Sequence, residues 1–305
     1  MGRRRRWLVI AVTVVVVAAV IVVTPVVIAS SPRHTAKVGG DIDLSGYRMT
    51  FDDEFSRLSV SAASPKGAAT WYAYPPYGAA GNYSSSAWNI QALSATGGLL
   101  TDKAYLARKA GASADSWNSG NLSSVDTTGA GFSQKYGYFE ARMQMPSSGT
   151  GAWPAFWLST TNSIPTVSST PVQHEEIDIL EWYGTTHTAG SEQAFMQQAS
   201  HNWNPNGSQS QTKGTYLYSP QTEMPAGAYP WEGFHTYGVK VDPKHITWYI
   251  DGVQTNQIPT PTKYLTSKFY VMIDYALGGG WPLTGMVNGS ALKVDWVRVY
   301  SLPTR

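Results

Sequence analysis

His174-Glu175-Glu176-Ile177-Asp178-Ile179-Leu180-Glu181 sets three carboxylates, Glu176, Asp178 and Glu181, within six residues and fills the gaps with large aliphatics. Acids interleaved with Ile and Leu predict a strand with one packed face and one face open to a cleft. Side chains in a regular strand alternate, so Glu176 and Asp178 share a face and Glu181 points the other way. One extra residue, a β-bulge, returns Glu181 to the side of the first two, and bulges concentrate beside active sites. Three acids on one face repel, and at least one must then hold a proton near neutrality. That is the condition a general acid next to a nucleophile needs. Glu175 belongs to the opposite side and is given no role.

Two plainer readings compete. A solvent-facing strand edge carries the same letters without any chemistry. His174-Glu175-x-x-Asp178 also resembles a zinc-protease helix whose second His is replaced, but such ligands need helical spacing. The Ile-rich surroundings, with Gly184 just beyond, predict a strand instead.

Composition narrows the classes. Trp and Tyr are plentiful (12 and 18 residues), which favours a β protein with aromatic surfaces over a helical bundle. Cys is absent, so disulfide frameworks and thiolate metal sites are excluded. The formal charge of +2 arises at one end: Arg3, Arg4, Arg5, Arg6, Arg33 and Lys37 are basic, and residues 1–40 hold no acid. The remainder carries 16 basic against 20 acidic residues, a net charge of −4, so no nucleic-acid surface is indicated.

The four arginines precede an apolar run at 7–28, broken only by Thr13 and Thr24-Pro25 and long enough to cross a bilayer. The positive-inside rule keeps the arginines in the cytoplasm and sends the rest of the chain outward. Residues 1–29 are therefore expected to form a signal anchor and transmembrane helix, with cleavage after the small residues Ala29-Ser30-Ser31 as the alternative. Either way the remainder is exported. Residues 30–45 predict a linker and 46–302 one catalytic domain. Short β-rich runs follow at 136–145, 177–182, 235–241, 246–250, 269–275 and 292–300, separated by Gly, Ser, Asn and Pro. No convincing helical period appears after residue 45, and this pattern predicts an all-β sandwich or jelly roll. Trp248 and Trp296 lie in apolar strands and are expected in the core. Long Ser- and Gly-rich loops at 74–86, 110–120, 160–173 and 202–214 are expected to rim a cleft.

Glu176-Ile177-Asp178-Ile179-Leu180-Glu181, followed by Trp182-Tyr183-Gly184, resembles the active-site strand of glycoside hydrolase family 16. The resemblance extends through Phe51-Asp52-Asp53-Glu54-Phe55, Tyr136-Gly137-Tyr138-Phe139-Glu140, Gly151-Ala152-Trp153-Pro154-Ala155-Phe156-Trp157 and Val294-Asp295-Trp296-Val297-Arg298. It covers most of the chain from Tyr47 to Tyr300. It implies a concanavalin-like jelly roll of two curved antiparallel sheets whose concave face is the cleft. It also implies a retaining endo-β-glycanase acting on a β-1,3- or mixed-linkage glucan or a bacterial exopolysaccharide. Transglycosylation by the same intermediate, or a carbohydrate-binding jelly roll without turnover, are the alternatives.

Carried over by motif position, Glu176 is the nucleophile, Glu181 the general acid/base and Asp178 the carboxylate that assists between them. The resemblance places Trp153 and Trp157 under sugar rings, His201 and Trp203 on the facing strand, Asn82 in the first long loop, and Tyr183 and Trp281 at the rim. No cofactor is implied for the reaction. Much of the family carries a structural calcium, and Glu54, Gly98 and Asp295 stand near the matching positions. The expected partners are the polysaccharide and, through the N-terminal helix, a membrane; the expected state is a monomer. One departure stands out: Asp274-Tyr275 replaces the Asn-Leu that many relatives place before Ala-x-Gly-Gly.

Overall fold

A computed structural model describes residues 42–78, 83–168, 173–185, 196–205, 229–261, 265 and 267–303, and the backbone of 209–218. The expected helix at 1–29, most of the linker and Asn82 lie outside these residues. Among the described residues no helix is long and apolar enough to cross a membrane.

The described strands begin with β1 (Arg48–Asp53), β2 (Val60–Ser61), β3 (Trp71–Tyr72), β4 (Ala87–Trp88), β5 (Leu93–Thr96), β6 (Leu99–Lys103), β7 (Tyr105–Ala107), β8 (Ser116–Ser119) and β9 (Asn121–Ser123). The longer ones follow: β10 (Gly137–Gln144), β11 (Ala152–Thr160), β12 (His174–Trp182), β13 (Met196–Trp203), β14 (Gln209–Tyr218), β15 (His235–Val241), β16 (His245–Ile250), β17 (Val253–Pro259), β18 (Phe269–Leu277) and β19 (Ala291–Ser301). One sheet runs β17-β16-β15-β10-β19-β6-β5, with β1 also paired to β19. The second runs β14-β13-β12-β11-β18-β9-β3-β2, and β4-β8-β7 make a small third. Pairing is antiparallel except at β2–β3 and β4–β8. The result is an all-β jelly-roll sandwich.

Alternation explains how the second sheet stays buried on both faces. On β11, Phe156 and Leu158 enter the main core, while Ala155 and Trp157 join a smaller apolar cluster on the outer face. On β18, Phe269, Val271, Ile273, Tyr275 and Leu277 point inward, and Tyr270 and Met272 point outward. The first sheet meets this core with Phe139, Ala141, Val239, Trp248, Val297 and Val299. Each such aliphatic or aromatic side chain contributes about 1.5–3 kcal/mol on burial.

The inferred bulge is present. Against β11, Trp157 pairs with Asp178 but Phe156 pairs with Leu180, so Ile179 is the extra residue. Against β13 the same irregularity falls between Asp178 and Glu181. Ile177, Ile179, Leu180 and Trp182 all pack inward, which flips the alternation and turns Glu181 outward with Glu176 and Asp178. A bulge leaves ladder carbonyls unpaired, and buried ones must find donors. Trp248 Nε1 crosses the core from β16 to the Asp178 carbonyl (2.9 Å), and Gln198 Nε2 takes the Ile179 carbonyl (3.1 Å). Thr255 Oγ1 in turn donates to Gln198 Oε1 (2.8 Å).

Trp248 is in the core as expected, and Trp296 is not. A register shift opposite Arg142/Met143 leaves Val294 and Val297 inward and turns Trp296 out, where the Arg298 guanidinium covers its ring at 4.1 Å.

Candidate active site

Three rows of side chains cross the outer face of the second sheet. His201, Glu176, Ser159 and Tyr270 occupy successive strands in one row. Ala199, Asp178, Trp157 and Met272 form the next. Gln197, Glu181, Ala155 and Asp274 form the third, so a single alanine separates two carboxyl groups. These rows floor a cavity of about 710 Å³ that also takes in Tyr77, Tyr83, Trp153, Tyr183 and Trp203.

Burial governs the electrostatics. It raises the Glu176 carboxyl well above the usual range, helped by the Asp178 charge and opposed by His201. The Trp203 indole N–H also pulls Glu176 down, although it closes no hydrogen bond of good geometry. Asp178 is raised well above its ordinary value by burial, then by Glu181 and Asp274. Glu181 is raised by burial, and hydrogen bonds from Trp153 and Tyr183 work against that. Three such groups cannot all ionise together, so the site holds at least one proton near neutrality. His201 Nε2 lies 2.8 Å from Asp178 Oδ2 and fixes the middle carboxyl. Glu175, as expected, points the other way: it is fully buried and accepts a hydrogen bond from Ser200 Oγ.

Glu176, Asp178, Glu181, Trp153, Trp157, Tyr183, His201 and Trp203 all line the one cavity. Trp281 does not; it follows the Gly278 turn outside the lining. Trp153 rests on Gly279, where a β-carbon would come within 2.8 Å of the indole. Two residues escaped the sequence reading. Tyr83 stands next to the expected Asn82 and packs edge-on against both Trp153 and Trp157. Asp274, noticed only as a departure, accepts from Tyr83 Oη (2.6 Å) and Trp157 Nε1 (2.8 Å) on the same oxygen. Its carboxyl is pushed up to about 6, by burial first. The acid in place of asparagine was the available signal.

The calcium expectation does not fit. Gly98 does lie beside the Glu54 carbonyl, 3.6 Å from where its β-carbon would be. Yet Arg298 Nε holds the Glu54 carboxylate at 2.8 Å, and Arg142 is bonded to Asp295. A calcium ion seeks several charged or neutral oxygens, and here both carboxylates already face guanidinium groups. Among the described residues the one converging His/acid trio is Glu176, Asp178 and His201, which belongs to the cleft.

The family model for the β-porphyranase A–D type of family 16 glycoside hydrolase domain matches residues 50–302. The endo-1,3-1,4-β-glycanase EglC of Rhizobium meliloti is 30% identical over 290 residues, covering 88% of this chain and 55% of the relative. ExsH of the same organism, also named an endo-1,3-1,4-β-glycanase, is 28% identical over 282 residues, covering 86% and 53%. The chain thus spans about half the length of these curated relatives. The endo-β-1,3-glucanase of Pyrococcus furiosus superposes with a TM-score of 0.61 at 24% identity, covering 87% of this chain and 98% of that one. With the family model matched over 50–302 and the EglC relative aligned along most of the chain, the chain belongs to glycoside hydrolase family 16.

Proposed function

We propose that the chain is an endo-β-glycanase that cleaves a neutral β-1,3- or β-1,3-1,4-linked glucan, or a related exopolysaccharide backbone, with retention. The observation that carries the reading is the bulge at Ile179, which gathers three carboxyl groups on one face of the cleft. Glu176 attacks the anomeric carbon while Glu181 gives its proton to the departing oxygen. Glu181, now a carboxylate, takes a proton from the water that hydrolyses the Glu176 ester. Asp178, held by His201, keeps a charge or a shared proton between them and so sets their relative acidity. The names of the two Rhizobium relatives support the linkage.

Charge supports a neutral polymer. Four carboxyl groups and no Lys or Arg line the described cavity, and an anionic chain would be repelled there. Residues 74–86, 110–120, 160–173 and 202–214, the stretches expected at the rim, contain one cation, Lys213. The leader at 1–29 supports export and attachment to a membrane by its own helix, with the catalytic domain outside the cytoplasm.

The test is reducing-end release from a β-1,3-glucan, a mixed-linkage glucan, an exopolysaccharide and a sulfated galactan. Hydrolysis of a neutral polymer is expected, with Glu176→Ala and Glu181→Ala inactive and azide rescuing Glu176→Ala to an inverted product. Binding without cleavage, or preference for the sulfated polymer, overturns the reading.

A further inference from the structure

Glu181 Oε1 accepts two hydrogen bonds, from Trp153 Nε1 at 2.9 Å and from Tyr183 Oη at 2.8 Å. The donors arrive from different places, Trp153 on β11 and Tyr183 just beyond the end of β12. Their rings stack with centroids 6.3 Å apart and planes at 21°. Both are held by packing. Gly279 lies directly under the indole, and Gly184, at φ +87°, turns the chain after Tyr183 so closely that a β-carbon would meet the Gly149 carbonyl at 2.1 Å. Each ring therefore offers a polar tip to the acid and an apolar face to the cleft.

A carboxylic acid has one proton, and an oxygen that already accepts two N–H or O–H groups is the wrong place for it. The proton is left to Oε2, the oxygen without these donors. When the glycosidic bond breaks, that proton moves to the leaving oxygen and its electron pair stays on the carboxylate. The two donors on Oε1 then face a growing negative charge, so they bind the transition state more strongly than the ground state.

We propose that Tyr183 and Trp153 are positioning residues for the general acid, holding the Glu181 proton on Oε2 and setting the pH above which the acid is lost. The inference rests on the assignment of Glu181 as acid/base made above, and it differs from a purely sugar-stacking role for the two rings. Burial lifts the Glu181 carboxyl and the two donors oppose that lift, which agrees in direction. Removing a donor to the ionised form raises the pKa, and the alkaline limb of activity moves up with it.

Tyr183→Phe keeps the ring and deletes the donor, so it separates the two roles. The full chain and this variant are compared in the pH profile of kcat/KM, with melting temperature as the folding check. The Glu181 carboxyl is titrated in parallel by NMR on ¹³C-labelled glutamate, using Glu181→Gln to assign it. The expected result is an alkaline limb and a Glu181 titration both raised by about one pH unit. Unchanged titration of Glu181 with only KM raised overturns the inference, since that is what a stacking platform alone would give. A wild-type chain without glycanase activity overturns the acid/base assignment instead, and the NMR titration still reports whether the donors act on Glu181.

Discussion

Tyr83 Oη donates a 2.6 Å hydrogen bond to Asp274 Oδ2, joining the first long loop to the floor strand across 191 residues of chain. Trp157 Nε1 shares the same oxygen, and Ala276 N donates to the other at 3.1 Å. Asp274 is thus a fourth carboxyl group of the cleft, and its charge acts on Asp178 and interacts with Glu181. Removing it by Asp274→Asn makes ionisation of Glu181 easier, which lowers that pKa. The alkaline limb of kcat/KM is therefore expected to move down by a few tenths of a pH unit, opposite in sign to Tyr183→Phe. A pH–rate profile checks it, and an upward or absent shift refutes it.

Asp102 makes a different pH prediction, one about stability. It is buried in the first sheet, with Oδ1 taken by Gly120 N (2.7 Å) and Oδ2 closing no hydrogen bond of good geometry, and burial pushes its carboxyl up to about 8 against the pull of the Gly120 and Tyr275 amides. Unfolded, it titrates near 4. Between those values the folded chain binds more protons than the unfolded one, so this group's contribution falls as pH rises from about 4 to about 8. Asp102→Asn is expected to flatten the decline in Tm between pH 5 and pH 8 by roughly 5 °C. Parallel wild-type and mutant melting curves across that range would discount the idea.

The bulge rests on two side chains outside the cleft. Gln198→Ala or Trp248→Phe strips the donor from a buried carbonyl, at a cost of about 1–3 kcal/mol. Both are expected to lower kcat at temperatures far below their melting points, because the spacing between Glu176 and Glu181 relaxes. Deleting Ile179 leaves Glu176-Ile177-Asp178-Leu180-Glu181, in which strict alternation alone keeps all three acids on the cleft face and only the spacing between Asp178 and Glu181 changes. That variant is expected to fold and to keep measurable glycanase activity, and a folded variant with none would refute face parity as the reason for the bulge.

Chelation should matter little. With the Glu54 and Asp295 carboxylates held by Arg298 and Arg142, a chelator is expected to move Tm by no more than about 1 °C. A larger drop, reversed by calcium, would show that the carbonyls near Gly98 suffice for a metal.

Much of this was legible in sequence because alternation is a local rule. The strands at 235–241 and 246–250 lie within a residue of their observed limits, and the acid run announced its own bulge by spacing its third carboxylate on the wrong parity. What escaped depends on partners far along the chain. Tyr83 and Trp157 converge on Asp274 from distant parts of the chain, and no spacing rule links residues so far apart. Trp296 was misplaced for the reason Glu181 was not: its strand slips by one residue without any polar signal to betray it. The ion pairs at the expected calcium positions were not legible because they form between elements, Arg142 on β10 with Asp295 on β19.

Ala155 pairs with Glu181 on one side and Asp274 on the other, so the floor between those two acids is one methyl group deep. Clearance beneath the substrate is therefore set by missing volume rather than by a contact. A valine or leucine at that point would raise the floor while leaving every charge and donor in place. Such a change would act as a thickness gauge, sorting flat rings from puckered or substituted ones without touching the chemistry.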